Sequence, residues 1–270
     1  MDWWQALLLG LVQGLTEFLP VSSSGHLMIV RELLGVDAEG FMDFTVTVHF
    51  ATVLSTLVVF WGAIWTILKG VFKFKYNDET DYFLKLCVSM IPVAVVGFCF
   101  KDQVEMLFGD SLRTVAVCLF ITAALLCLSD VLTRTLKIKN NYRNGISYWQ
   151  ALLVGLGQAC AVAPGLSRSG TTIATGLISG VKRENMAQFS FLMVLVPIIG
   201  EQLLDILDMV TGEAVPTEGV GVVALVLGFI AAFLAGLFAC RVMIALVKKA
   251  KMSWFALYCV VVAVLLLIFA

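Results

Sequence analysis

The chain has 270 residues, of which 60% are hydrophobic and only 14% charged, and its formal net charge is −1. Soluble domains carry about a quarter charged residues, so this composition excludes a soluble globular domain and points to an integral membrane protein. Apolar runs of helical length, without the alternation and turn spacing of a membrane β-barrel, leave helices as the spanning element. With no long basic block, nothing suggests nucleic-acid binding.

The first region, residues 3–35, is apolar but broken from Pro20 to Gly25. Each arm falls short of the ~20 residues that a membrane-spanning helix needs. A re-entrant helical hairpin fits better, with its polar break at membrane depth and enclosed by protein. Six full spans are expected at about 44–68, 83–100, 113–133, 187–209, 220–246 and 254–270. A second re-entrant hairpin is expected at 148–181, broken from Pro164 to Gly170.

The two broken regions are copies. An offset of 145 aligns residues 4–36 with 149–181 without a gap and gives 13 identities in 33 positions. The chain thus reads as one membrane domain, 1–270, with repeat 1 at about 3–68 and repeat 2 at about 148–209. The basic loops orient it. Lys69, Lys73 and Lys75, then Arg134, Lys137, Lys139 and Arg143, then Lys248, Lys249 and Lys251 mark the cytoplasmic side. The 210–219 loop, with Glu213, Glu218 and no base, belongs outside. Counting crossings puts Phe44 outside and its repeat partner Phe189 inside, an inverted-topology repeat. Such repeats bring their broken helices together near the midplane around one site.

The copies differ in their reactive residues: Glu17 aligns with Val162, Ser23 with Arg168 and His26 with Thr171. Gln13 and Glu17 share one helical face, and an intramembrane carboxylate suggests function by default. A carboxylate bonded to the neighbouring break is the simpler alternative. In the sequence Pro20-Val-Ser-Ser-Ser-Gly-His26, the hydroxyls of Ser22, Ser23 and Ser24 with Gly25 open a helix N-terminus suited to an anion. His26 suits proton transfer. The second break adds Ser167, Arg168, Ser169, Gly170 and Thr172. Arg168 needs an anionic partner at this depth, either Glu17 or a phosphate held bidentately; the abundance of donors favours phosphate. His49, among Thr45, Thr47 and Thr52, reads as a hydrogen-bonded interior histidine. The seven scattered cysteines read as packing residues.

Gln13-x-x-x-Glu17, Pro20-Val-Ser-Ser-Ser-Gly-His26 and Pro164-Gly-Leu-Ser-Arg-Ser-Gly-x-Thr172 together resemble the undecaprenyl pyrophosphate phosphatase family of the bacitracin-resistance type. Phe189-Ser-Phe191 leading to Pro197 fits too, as do length and segment order. The resemblance implies hydrolysis of a polyprenyl pyrophosphate lipid to its monophosphate, recycling the carrier for peptidoglycan synthesis. It implies a divalent cation, Mg²⁺ with Ca²⁺ as the alternative. It also implies location in the bacterial inner membrane with the site open to the outer side. It assigns catalysis to the positions of Glu17, Ser23, His26 and Arg168. A metal site would use Glu17 and Gln13, and Gln13 stands where many members carry a second carboxylate. Membrane lipids are expected partners, and an oligomer is compatible with this reading. A transporter or flippase of a polyprenyl phosphate lipid is the competing class, because inverted repeats are a transporter hallmark.

Overall fold

The computed structural model describes residues 1–37, 41–100, 103, 111–135, 142–163, 165–211 and 220–269. Pro164, Lys137, Lys139, Glu213 and Glu218, used above for the second break and for orientation, lie outside these residues.

Among the described residues the fold is all-helical. The helices are α1 (Trp3–Thr16), α2 (Ser23–Leu33), α3 (Phe41–Val71), α4 (Asp78–Cys99), α5 (Leu112–Thr135), α6 (Tyr148–Cys160), α7 (Arg168–Ile178), α8 (Arg183–Thr211), α9 (Val222–Lys249) and α10 (Ser253–Phe269). Each of the six expected spans coincides with one of the long helices α3, α4, α5, α8, α9 and α10. Four helices among the described residues are long and apolar enough to cross a membrane: α3, α4 (to Gly97), α5 and α9. α10 is apolar but has 17 residues. The two broken regions form helix pairs, α1 with α2 and α6 with α7, and none of these four helices exceeds 14 residues. At 1.5 Å per residue the longest is about 21 Å, well short of a ~30 Å hydrocarbon core.

Sequence identity between the copies is matched by identical local bonding. Gln5 closes the start of α1 by accepting the Asp2 N–H at 2.7 Å, and Gln150 does the same for Ser147 at 3.0 Å in α6. Each glutamine then donates to the far end of its hairpin, Gln5 to the Leu34 carbonyl (3.1 Å) and Gln150 to the Ser179 carbonyl (2.8 Å). These side chains hold α1 beside α2 and α6 beside α7, and they cap a helix end at the same time. Ser22 accepts from the Gly25 N–H and Ser167 from the Gly170 N–H, capping α2 and α7.

Packing repeats as well. α1 lies against α9, and α6 lies against α4. A Cβ at Gly10 would sit 2.3 Å from the Gly228 carbonyl oxygen, and one at Gly155 would sit 2.2 Å from the Ser89 carbonyl oxygen. Backbone meets backbone at both crossings, so glycine is required, as at small-residue contacts between membrane helices. Phe44 and Phe189, partners at the same offset, are both completely buried. α5 and α10 pack together and close the bundle.

Candidate active site

The first break begins where α1 ends. Glu17 caps α1, one turn after Gln13, and its side chain is 13% exposed. A single oxygen, Glu17 Oε2, accepts from Gln13 Nε2 at 2.9 Å and from Ser23 Oγ at 2.6 Å. The short Ser23 contact is that of a charge-assisted hydrogen bond, in which an ionised carboxylate polarises the hydroxyl. Nucleophilic serines are activated by a base within this reach.

Backbone geometry also marks this turn. Ser22, a non-glycine residue, has φ +69°, whereas its repeat partner Ser167 has φ −69°. Strain of this kind costs of order 1–3 kcal/mol, and it lies directly before Ser23 in the copy that also carries Glu17.

The second break delivers Arg168 as the first residue of α7. It lines one small cavity with Glu17, Thr52, Thr56, Ser169 and Ser190, walled by Phe18, Phe191 and aliphatic residues of α8. The breaks are tied directly: Ser169 Oγ donates to the Leu19 carbonyl at 2.9 Å. Glu17 from one copy and Arg168 from the other therefore face one space, as the mismatches between the copies suggest. Arg168 makes no ion pair with a carboxylate among the described residues.

Other expected site residues serve the frame. Ser22 and Ser167 are buried and committed to their caps. Ser24 lies 3.4 Å from Ser22. Thr172 bonds to the Arg168 carbonyl and to Ser190 (2.9 and 2.7 Å). Gly25 and Gly170 supply the capped N–H groups.

His26 is held away from Glu17 by its own contacts. Its Nδ1 lies 2.7 Å from the Ser22 carbonyl and its Nε2 lies 2.7 Å from Tyr258 Oη, with the two rings stacked at 5.6 Å. A carbonyl only accepts, so Nδ1 carries the proton and Tyr258 donates to Nε2. Both nitrogens are occupied. Cys259, the next residue of α10, approaches the Pro20 carbonyl at 3.7 Å, so the last helix braces the first break. α5 braces the second, where the Ser167 N–H donates to Thr122 Oγ1 at 3.3 Å.

Sequence reasoning missed Tyr258 and the face of α3. His49 makes the interior hydrogen bond expected of it, Nδ1 to the Thr45 carbonyl at 2.9 Å, yet its Nε2 also lies 3.8 Å from Glu17 Oε2. Thr45, His49, Thr52 and Thr56 recur at helical spacing in an otherwise apolar helix. That polar stripe was the available signal. Nothing in the sequence around Tyr258 announces its partner.

The chain is similar over nearly its whole length to proteins of one family. The family model described as bacitracin resistance protein BacA matches residues 6–265. A protein of Bacteroides fragilis named undecaprenyl-diphosphatase is 50% identical over 268 residues, covering 99% of this chain and 98% of its own. One of the same name from Parabacteroides distasonis is 51% identical over 261 residues, covering 97% and 96%. A more distant one from Methanobrevibacter smithii is 35% identical over 278 residues, covering 98% and 96%. Both breaks fall inside the matched span, and the chain belongs to the bacitracin resistance protein BacA family.

Proposed function

We propose that this protein is an undecaprenyl-diphosphatase, a membrane hydrolase that removes the terminal phosphate of a polyprenyl pyrophosphate and returns the lipid carrier to cell-wall synthesis. The observation that carries the reading is the 2.6 Å hydrogen bond from Ser23 to Glu17, the carboxylate that lines one cavity with Arg168. A protein that only moved a lipid phosphate would need the arginine but not an activated hydroxyl, and the relatives bear the name of a phosphatase.

In the proposed reaction Ser23 Oγ attacks the terminal phosphorus while its proton passes to Glu17. The bond from that phosphorus to the bridging oxygen breaks, and polyprenyl monophosphate leaves. Glu17 passes that proton to the departing monophosphate, and water then attacks the phosphoserine, giving one proton to Ser23 Oγ and releasing inorganic phosphate. Arg168 binds the transferring phosphoryl group and offsets the charge that spreads over its oxygens. The strained Ser22 backbone helps to fix the nucleophile. Ser23 is preferred over His26 as nucleophile because His26 would first have to release Tyr258 or Ser22.

The donors present also suit a weakly held divalent cation. Gln13 Oε1 is buried and has no hydrogen-bond partner among the described residues, and Glu17 is acidic and close by. Glu17 and Gln13 would hold Mg²⁺, which would neutralise phosphate charge when bound. Among the described residues no three His, Cys, Asp or Glu side chains converge, and Mg²⁺ usually relies on one or two carboxylates with substrate phosphates completing its shell.

The paired short helices and the repeated bonding support an inverted repeat of two re-entrant hairpins, with repeat 1 at 3–68 and repeat 2 at 148–209. Exposed Trp65, Trp149 and Trp254 lie near the basic segments, and exposed Trp3 and Trp4 lie at the start of the first hairpin. Tryptophans favour the membrane interfaces. On this reading the first hairpin enters from outside, and the site opens to the outer face of the inner membrane. Phosphate release from polyprenyl pyrophosphate by purified protein tests the activity, and mapping of trapped phosphate tests the nucleophile.

A further inference from the structure

We propose that His49 is a ligand of the divalent cation, placing α3 in the metal site beside Glu17 and Gln13 of α1. The inference rests on the metal requirement of the function proposed above and deepens it.

The argument starts from tautomer. His49 Nδ1 lies 2.9 Å from the Thr45 carbonyl, and Thr52 Oγ1 donates to the carbonyl of His49 itself at 2.7 Å. A carbonyl cannot donate, so the proton of the neutral ring sits on Nδ1 and Nε2 presents a lone pair. That lone pair faces Glu17 Oε2 at 3.8 Å. An acceptor opposite a carboxylate is repulsive unless something positive lies between them. A protonated ring donating to Glu17 would close to about 2.7–2.9 Å, the length of charge-assisted hydrogen bonds. The observed 3.8 Å is too long for a direct hydrogen bond. It is within reach of two ligands on one small cation, whose bonds are about 2.0–2.1 Å each.

Two independent features agree. Histidines that bind metals usually donate their other ring N–H to a carbonyl or carboxylate, which fixes ring and tautomer; Thr45 does this here. Gln13, completely buried one turn before Glu17, has a carbonyl oxygen with no partner among the described residues. Both hydrogen bonds to Glu17 fall on Oε2, so Oε2 can take the Ser23 proton while Oε1 of the same carboxylate binds the cation. An imidazole in the donor set raises affinity for transition ions relative to Mg²⁺ and Ca²⁺, most for Fe²⁺, Ni²⁺, Cu²⁺ and Zn²⁺.

The test uses the full-length protein in lipid nanodiscs, with Mn²⁺ as probe, read by pulsed electron paramagnetic resonance. The wild type should bind Mn²⁺ and show coupling to a histidine nitrogen that changes isotope when the chain is labelled with ¹⁵N-histidine. His49→Gln should bind roughly tenfold more weakly and lose that coupling. If His49→Gln fails to fold, labelled His26→Gln decides the matter, because the chain has only two histidines and coupling that persists without His26 must come from His49. Mn²⁺ bound without histidine coupling, or with coupling that survives in His49→Gln, overturns the role of His49 and leaves the metal requirement standing. No Mn²⁺ binding at all overturns both.

Discussion

Ser23 Oγ lies 2.6 Å from Glu17 Oε2, across the turn that joins the two helices of the first hairpin. The carboxylate is also held by Gln13, so it is oriented before any substrate arrives. Removing either member should strike the chemical step rather than binding. Glu17→Gln should lower kcat by roughly 10²–10⁴, the usual contribution of a positioned acid or base, with KM changed far less. Steady-state phosphate release checks this; a selective rise in KM would move Glu17 out of the chemistry.

Arg168 faces the same cavity without a carboxylate partner among the described residues. Arg168→Lys keeps the charge but loses the planar fork. At about 1.5–3 kcal/mol for a hydrogen bond to a charged group, activity should fall roughly 10- to 150-fold. A lysine variant with wild-type kcat/KM would show that a point charge suffices.

Tyr258 reaches His26 from the last helix. Tyr258→Phe keeps the stacked ring and removes one hydroxyl, so stability should drop by only about 1 kcal/mol. In the ¹⁵N spectrum of histidine-labelled protein, the His26 Nε2 resonance should move to that of a nitrogen without a donor. An unchanged resonance would mean that the bond does not form.

The glycine crossings predict a contrast in stability. Gly155→Ala would drive a methyl group against the Ser89 carbonyl, whereas Gly62 has open space within 4 Å of its added Cβ. Overpacking costs typically 1–3 kcal/mol, so Gly155→Ala should clearly lower the unfolding temperature in detergent. Gly62→Ala should match or exceed wild type, because alanine is the better helix former by about 1 kcal/mol. Equal melting temperatures would show that α4 and α6 can separate at little cost.

The inverted arrangement predicts that a single cysteine at position 2, in a background with the native cysteines replaced, reacts with an impermeant reagent from outside the cell. Labelling only from the cytoplasmic side would reverse the first hairpin and break the inversion.

The long helices were legible because lipid demands uninterrupted apolar runs, and the paired short helices because serine, glycine and proline interrupt such runs. The pairing of Glu17 with Ser23 was legible because only a turn separates them. The meeting of Glu17 and Arg168 came from the repeat, which implies facing breaks. His49 and Tyr258 were not legible as site neighbours, because both come from other helices and their contacts depend on how α3 and α10 rotate against the hairpin. Hydroxyl counting did not show which serines also cap a helix. A serine at a break can cap its own helix, and Ser22 and Ser167 do so.

The central claim is that Ser23, activated by Glu17, carries out hydrolysis of a polyprenyl pyrophosphate. The most direct measurement is rapid acid quench of purified protein with substrate labelled in its terminal phosphate, followed by peptide mapping of retained label. The account predicts label on Ser23, lost together with turnover in Ser23→Ala. Full turnover by Ser23→Ala, or label on His26, would contradict it.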